Sequence, residues 1–260
     1  MIPRPRGAVT KAGRPRSAPD RLAAAMQIEN AVAVVTGASR GIGRALCLAL
    51  DASGARVVGC ARDEAQLQKL FGQSGGKVLV ETADVSEPAA AERVVERAVN
   101  EFGKLDLLVN NAGLINEPGT VAELSLEQWE KLLEVNVLGV VSMMKAALPH
   151  IEDARGCIVN VSSYWGRHGA KRFGPYCASK FAVEGLSQAA AAESRHATIV
   201  ALSPGMVDTA MLAVAMGGVT EGSASPEDCA ARFVAFLREL DRRQNGKPCE
   251  LLQPRSDDEP

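Results

Sequence analysis

The apolar positions of this chain fall in short unbroken runs separated by longer stretches of helical period. Ala31-Val32-Ala33-Val34-Val35 is the first such run, and a run with no polar alternation predicts a strand buried on both faces. Comparable runs predict strands over Arg56–Cys60, Val78–Glu81, Leu105–Val109, Cys157–Val161, Ala197–Leu202 and Pro248–Leu252. Between them the pattern predicts a helix ending near Leu50, helices over Asp63–Phe71 and Pro88–Phe102, a long helix over Leu126–His150, one starting near Tyr176, and one over Pro226–Asp241. Strands alternating with helices at this spacing build right-handed βαβ units. The expectation is an α/β fold, a single doubly wound domain with a mostly parallel seven-stranded sheet flanked by helices. No internal repeat and no second domain is visible.

The ends of the chain break the pattern. Residues 1–30 are rich in Pro, Gly and Arg and lack a hydrophobic period, which predicts a disordered basic extension. They hold six Lys/Arg against two acids, net +4, so the rest of the chain carries −6 of the overall −2. The folded domain is expected over residues 31–253, with an acidic tail over 254–260. An overall charge of −2 argues against nucleic acid as the main partner. No apolar run in the sequence reaches the ~18 residues of a membrane span. The six cysteines show no close pairing and mostly fall in apolar runs, which fits reduced thiols in a cytoplasmic protein. With no acid before Asp20, the extension also admits a plastid or mitochondrial transit peptide, against which serine is sparse. No metal-ligand set is expected.

Candidate chemistry sits where strands end. Gly37, Gly41 and Gly43 lie between the first strand and its helix, where glycines permit a tight turn and a pyrophosphate can meet free amides at the helix start. Ser39, Arg40 and Ile42 belong to the same loop. After the second strand the position that often carries an acid for a ribose hydroxyl is Ala61, followed by Arg62. Two guanidiniums, Arg40 and Arg62, suit a ribose 2′-phosphate, at ~1.5–3 kcal/mol per charge-assisted bond, and so favour NADPH. Asp63 reads as a helix N-cap. Asp84 and Val85 are placed to offer a carboxylate and an amide to an adenine edge. Asn110, Ala112 and Gly113 suit close cofactor approach and bonding between strand ends.

The stretch from Ser162 to Lys180 carries the reacting groups. Tyr176 and Lys180 are four residues apart on one helix face. The cation and the helix dipole are expected to push the phenol pKa down. A Ser163 hydroxyl delivered by the strand end completes a device that moves a proton at an oxygen.

Five motifs in order carry a resemblance: TGxxxGxG at Thr36–Gly43, NNAG at Asn110–Gly113, the NxxG that begins at Asn136, Ser163 with YxxxK at Tyr176–Lys180, and Pro204-Gly205. Over about residues 31–252 the chain resembles the short-chain dehydrogenase/reductase family, whose domain is Rossmann-type. The resemblance implies that Tyr176 is the general acid/base and that Lys180 holds nicotinamide ribose hydroxyls and lowers the tyrosine pKa. Ser163 would polarise the substrate carbonyl, and Asn136 would hold a relay water. Pro204, Gly205, Val207 and Thr209 would close over nicotinamide. It also implies a homodimer or homotetramer through the Leu126–His150 and Tyr176 helices.

Within that family the run Ser163-Tyr164-Trp165-Gly166-Arg167-His168 and the Cys60-Ala61-Arg62 segment are similar to plant pterin aldehyde reductases. This implies NADPH-dependent reduction of a pterin aldehyde, a folate salvage step, with Ile115, Trp165, Arg167, His168 and Met206 facing the small-molecule carbonyl substrate. A glycine-rich stretch over Ala213–Ser225 is expected to be a short mobile lid. The alternatives are a broad carbonyl reductase, a 3-oxoacyl thioester reductase, against which the short lid weighs, and a non-catalytic NADPH-binding sensor.

Overall fold

The computed structural model describes residues 26–75, 77–151, 156–195 and 197–251. Seven parallel strands form one sheet in the order β3-β2-β1-β4-β5-β6-β7. They are β1 (Val32–Thr36), β2 (Arg56–Ala61), β3 (Leu79–Thr82), β4 (Leu107–Asn110), β5 (Cys157–Val161), β6 (Thr198–Ser203) and β7 (Pro248–Glu250). The sheet is parallel throughout, where the sequence predicted mostly parallel pairing. Every residue of β1, β4, β5 and β6 is buried, as the unbroken apolar runs require.

Successive strand residues point to opposite faces. Ala33 and Val35 of β1 meet Leu46 and Leu50 of α1 (Gly41–Ala52) together with Phe233 and Leu237 near the chain end. Val32 and Val34 meet Val94 and Val95 of α3 (Pro88–Phe102), following α2 (Glu64–Gln73) in the chain, and Met143 and Val183 further on. The order reverses between β1 and β4, which opens a crevice at their carboxyl ends.

The predicted Leu126–His150 helix is one run in three forms. It begins as α4 (Leu126–Leu133), widens into a π-helical turn over Glu134–Leu138, continues as α5 (Gly139–Ala147), and closes in a 3₁₀ turn at Leu148–His150. The run is long and apolar enough to cross a membrane, which the sequence runs alone did not suggest. Its buried residues, among them Val140, Met143 and Ala147, belong to the cluster on one sheet face. α6 (Gly174–Glu193) follows β5, α7 (Ala210–Ala215) follows β6, and α8 (Pro226–Glu239) precedes β7.

Both ends of the predicted pattern differ from expectation. Met26 and Ile28 are 5% and 4% exposed within the core, so packing reaches back before residue 31. The last strand ends at Glu250. Residues 1–25 of the expected extension, the 254–260 tail and Leu252 lie outside the described residues.

Candidate active site

The β1–α1 turn is built for close approach. Gly37 and Gly41 have φ of 68° and 54°, a region that L side chains rarely adopt. A Cβ on Gly43 would stand 2.3 Å from the Gly37 carbonyl oxygen and 2.5 Å from Asn111 Nδ2. Arg40 caps α1 without a side-chain cap bond, so its side chain leaves the helix's first amides free for an anion. Ser39 and Ile42 sit half-buried in the same turn. Asn111 props it from below, donating from Nδ2 to the Thr36 carbonyl at 2.9 Å. Thr36 Oγ1 accepts in turn from the amides of Asn111 and Ala112 at 3.0 and 2.9 Å.

The segment after β6 closes the other side. It runs through Pro204, Gly205 (φ 78°) and buried Val207 to Thr209, the N-cap of α7. A Cβ on Gly41 would come within 3.2 Å of Thr209 Cγ2. This strand–turn–helix cradle, with glycine where a side chain would block it, fits a dinucleotide. Asn110 makes the expected bond between strand ends, its amide donating to Asn160 Oδ1 at 2.8 Å and tying β4 to β5.

At the β2–β3 end Asp63 caps α2, accepting from Gln66 N at 3.0 Å. Arg62 Nη1 lies 3.6 Å from Asp84 Oδ2. Asp84 also accepts from the Ser86 amide and hydroxyl at 3.0 and 2.7 Å. Partial burial pushes its carboxyl pKa up, but the Ser86 bonds and Arg62 outweigh that and hold it below the ordinary value. Both side chains line a cleft of about 340 Å³ with Lys131 and Val135. Val85 is buried against Gly139 of α5. Arg40 is exposed and makes no side-chain bond among the described residues.

The reacting groups converge at the β5 end. Tyr176 is the third residue of α6, and its phenol lies near enough to Ser163 for that hydroxyl to pull its pKa down. Lys180 is 5% exposed. Its Nζ donates to the Val161 carbonyl at 2.8 Å and stands 5.6 Å from the Tyr176 ring centroid. Gly113 lies beside both Asn136 and Lys180, since a Cβ there would be 3.4 Å from Asn136 Oδ1 and 3.7 Å from Lys180 Nζ. The Asn136 side chain is tied to its neighbours: Oδ1 accepts from Leu114 N at 2.7 Å, and Nδ2 donates to Leu114 O and Ser179 Oγ at 2.9 and 3.0 Å. Oδ1 keeps a second lone pair with which a further donor can be accepted.

The phenol pKa runs against expectation. Burial pushes Tyr176 up to about 12, the Ser163 hydroxyl offsets part of this, and Cys177 adds to the rise. Burial also lowers Lys180 to about 8. The ammonium is drawn to a carbonyl and lies against the ring, so its field does not make good the phenolate's lost hydration.

Beside Tyr176 the wall is apolar and aromatic. Trp165 stacks on Phe173 at 5.0 Å and meets Tyr176 edge-on at 6.1 Å. Leu132, Ile115, Met211 and Val214 join the same cluster. Two of the expected substrate contacts, Arg167 and His168, are placed otherwise. Arg167 is bonded to Glu184 Oε1, Glu250 Oε1 and the Cys249 carbonyl at 3.1, 2.7 and 3.2 Å, so its charge is taken up by these partners. His168 is exposed and stacks on Tyr164 at 4.0 Å. The Met206 carbonyl accepts from Ala224 N at 3.0 Å. That bond, with Asp208 N to Ala224 O at 2.9 Å, draws together the two ends of the lid. The lid itself starts with α7, which the sequence pattern did not predict.

A family model for short chain dehydrogenases matches residues 31–216. The chain belongs to the short-chain dehydrogenase family. An NADPH-dependent pterin aldehyde reductase of Arabidopsis thaliana is 37% identical over 217 residues, 82% of this chain and 90% of that protein. An L-fucose dehydrogenase of Mus musculus is 40% identical over 190 residues, 72% and 69% of the two chains. The crystal structure of a 3-ketoacyl-(acyl-carrier-protein) reductase from Brucella melitensis complexed with NADH superposes with a TM-score of 0.78 at 30% identity, covering 86% of this chain and 97% of that one.

For this short-chain dehydrogenase, sequence reasoning assigned no such part to four contributors. Asn111 was read only as part of a motif, although its amide supports the glycine turn. Phe173 was passed over, but an aromatic three residues before a helical tyrosine is a visible signal. Met211 and Val214 reach the wall because α7 turns them inward, and a Thr N-cap before an apolar run was the available sign.

Proposed function

We propose that the protein is an NADPH-dependent reductase of carbonyl compounds with a pterin aldehyde as its favoured substrate. The observation that carries this reading is the Tyr176 phenol set beside Ser163 and next to buried Lys180, at the foot of an aromatic wall. When bound, the nicotinamide supplies hydride. Gly37, Gly41 and Gly43 would hold its pyrophosphate. Arg40 and Arg62 would meet the 2′-phosphate, for which Arg62 exchanges its contact with Asp84. Thr209 and Val207 would cover the nicotinamide end.

This chain's groups handle the oxygen. Ser163 and Tyr176 together present two hydroxyls to a carbonyl oxygen, and Tyr176 delivers a proton as the oxygen gains charge. A phenol pKa near 12 keeps that proton in place at neutral pH, which suits an acid working in the reducing direction. Trp165 and Phe173 offer flat faces on which a pterin ring can stack. Relation to the pterin aldehyde reductase supports the choice of substrate, and the short lid weighs against a long acyl chain.

A dimer or tetramer is part of the reading. It is supported by Leu138 and Phe181, 57% and 48% exposed on the two helical runs that would meet. Cytoplasmic residence is supported by six cysteines in the thiol form, five of them buried.

The test is NADPH oxidation with 6-formylpterin, an aromatic aldehyde, a diketone and an acetoacetyl thioester, with Tyr176→Phe as control. The reading expects preference for 6-formylpterin and a ~10²–10⁴-fold loss in the control, with NADPH binding retained. Equal rates on all carbonyls would remove the pterin assignment. A Tyr176→Phe protein as fast as wild type would remove the mechanism.

A further inference from the structure

Arg167 ties together three parts of the chain. The segment between β5 and α6 leaves the sheet at Ser162-Ser163 and returns at Tyr176, so it joins the two hydroxyls of the reacting pair. Its first half is a 3₁₀ turn, Tyr164–Gly166, capped at the front by Ser163 Oγ, which accepts from Trp165 N at 3.2 Å. Arg167 ends that turn, its amide donating to the Tyr164 carbonyl at 3.1 Å. The turn is pressed onto α6: a Cβ on Gly166 would stand 3.1 Å from the Lys180 carbonyl oxygen and 2.6 Å from Ser162 Oγ.

The guanidinium then reaches two anchors. Nε bonds Glu184 Oε1 at 3.1 Å, and that side chain is 8% exposed. Nη1 and Nη2 bond Glu250 Oε1 and the Cys249 carbonyl on β7, at 2.7 and 3.2 Å. Tyr176, Lys180 and Glu184 follow one another at four-residue spacing, so they share a face of α6. A planar fork answering two carboxylates and a carbonyl fixes orientation as well as distance.

We propose that Arg167 is a positioning residue, a clasp that holds the Ser163 turn against the Tyr176–Lys180 face of α6 and so sets the distance between the two hydroxyls. It touches neither substrate nor cofactor. Its effect falls on the step at the carbonyl oxygen, where a displacement of about 1 Å can cost ~10²-fold. The proposal rests on the reading that Ser163 and Tyr176 react together.

The experiment is steady-state kinetics on the full chain with the best carbonyl of the panel, alongside NADPH titration and thermal melting. Arg167→Met is expected to lower kcat by ~10- to 100-fold while substrate KM and NADPH Kd move less than about threefold. Arg167→Lys, which keeps one charged contact, should recover at least about a third of the wild-type kcat. Glu184→Gln and Glu250→Gln keep side-chain size, and each should lower kcat at least threefold or so. Arg167→Met with Glu184→Gln should be no slower than the worse single variant, as expected of groups acting as one unit.

A wild-type kcat in Arg167→Met, or in both glutamine variants should Arg167→Met not fold, overturns the proposal. So does a loss in which kcat, NADPH binding and melting temperature fall together, since that marks general collapse. Tyr176→Phe separates the two levels of inference. If it keeps full turnover the reaction itself is misread, whereas if it alone is inactive only the clasp is wrong.

Discussion

Lys180 is a buried ammonium, and its burial sets a measurable slope of stability against pH. Its folded pKa of about 8 lies below the ordinary 10.5. Between those values the unfolded chain binds more protons than the folded one, so stability rises with pH across that window. Below pH 8 the folded state carries the full cost, about 3 kcal/mol at ~1.4 kcal/mol per unit. From pH 7 to pH 10 most of it, on the order of 2–3 kcal/mol, should disappear.

Wild type alone will not display this. Burial raises Tyr176, Cys60 and Cys157 to about 12, and such acids lose stability as pH climbs past their unfolded values. They act with opposite sign, but they are common to wild type and Lys180→Met. The informative quantity is therefore the difference between the two in urea unfolding free energy at pH 7, 8, 9 and 10. Wild type should gain on the variant by roughly 2–3 kcal/mol over the series, most of it above pH 8. A flat difference would refute a desolvated ammonium at this position. At pH 7 the variant should approach or exceed wild type in stability while losing turnover, because the same burial that costs stability holds the lysine under the phenol.

Two further substitutions test other parts of the site. Gly43→Ala would set a methyl against the Gly37 carbonyl and Asn111 Nδ2, neither of which can retreat without opening the glycine turn. NADPH affinity by fluorescence titration should fall ~100-fold and stability by ~1–3 kcal/mol, and wild-type affinity would count against the cradle. Arg172 has φ of 68°, and its Nη2 bond to the Pro118 carbonyl is exposed. Arg172→Gly should relieve the strain and raise stability by about 0.5–1 kcal/mol in chemical denaturation, while a loss of similar size would show that the bond matters more.

The fold was legible because a parallel sheet covered on both faces needs unbroken apolar strands, and Val32–Val35 or Leu107–Val109 admit no other reading. Pro88 and Asp63 marked helix starts because their backbone roles are local. The π turn at Asn136 was not legible. It arises where Val135 and Gly139 meet the sheet and Val85, a tertiary condition with no local signature. Met26 and Ile28 looked like part of a polar extension because two apolar residues make no period, yet each finds a buried place.

The site divides in the same way. Tyr176, Lys180 and Ser163 could be placed from helix spacing and strand ends. The direction of the tyrosine shift could not, because it depends on how much water reaches the phenol and on which carbonyl claims the ammonium. Arg167 misled for a related reason. An arginine beside a tryptophan suggests a ligand until Glu184 and Glu250, seventeen and eighty-three residues away, are seen to take it.

The bridge between Val207 and Ala224 makes the lid a closed appendage whose two ends are fixed to each other. Lengthening such a loop is thermodynamically cheap, at about 0.6 kcal/mol for each doubling. Residues inserted between Gly217 and Gly222 would reshape the rim that Met211 and Val214 present while Tyr176 stays bolted to the sheet behind them. The scaffold thus separates what it transforms from how it transforms it, and a new substrate range is within reach of changes confined to one short stretch of chain.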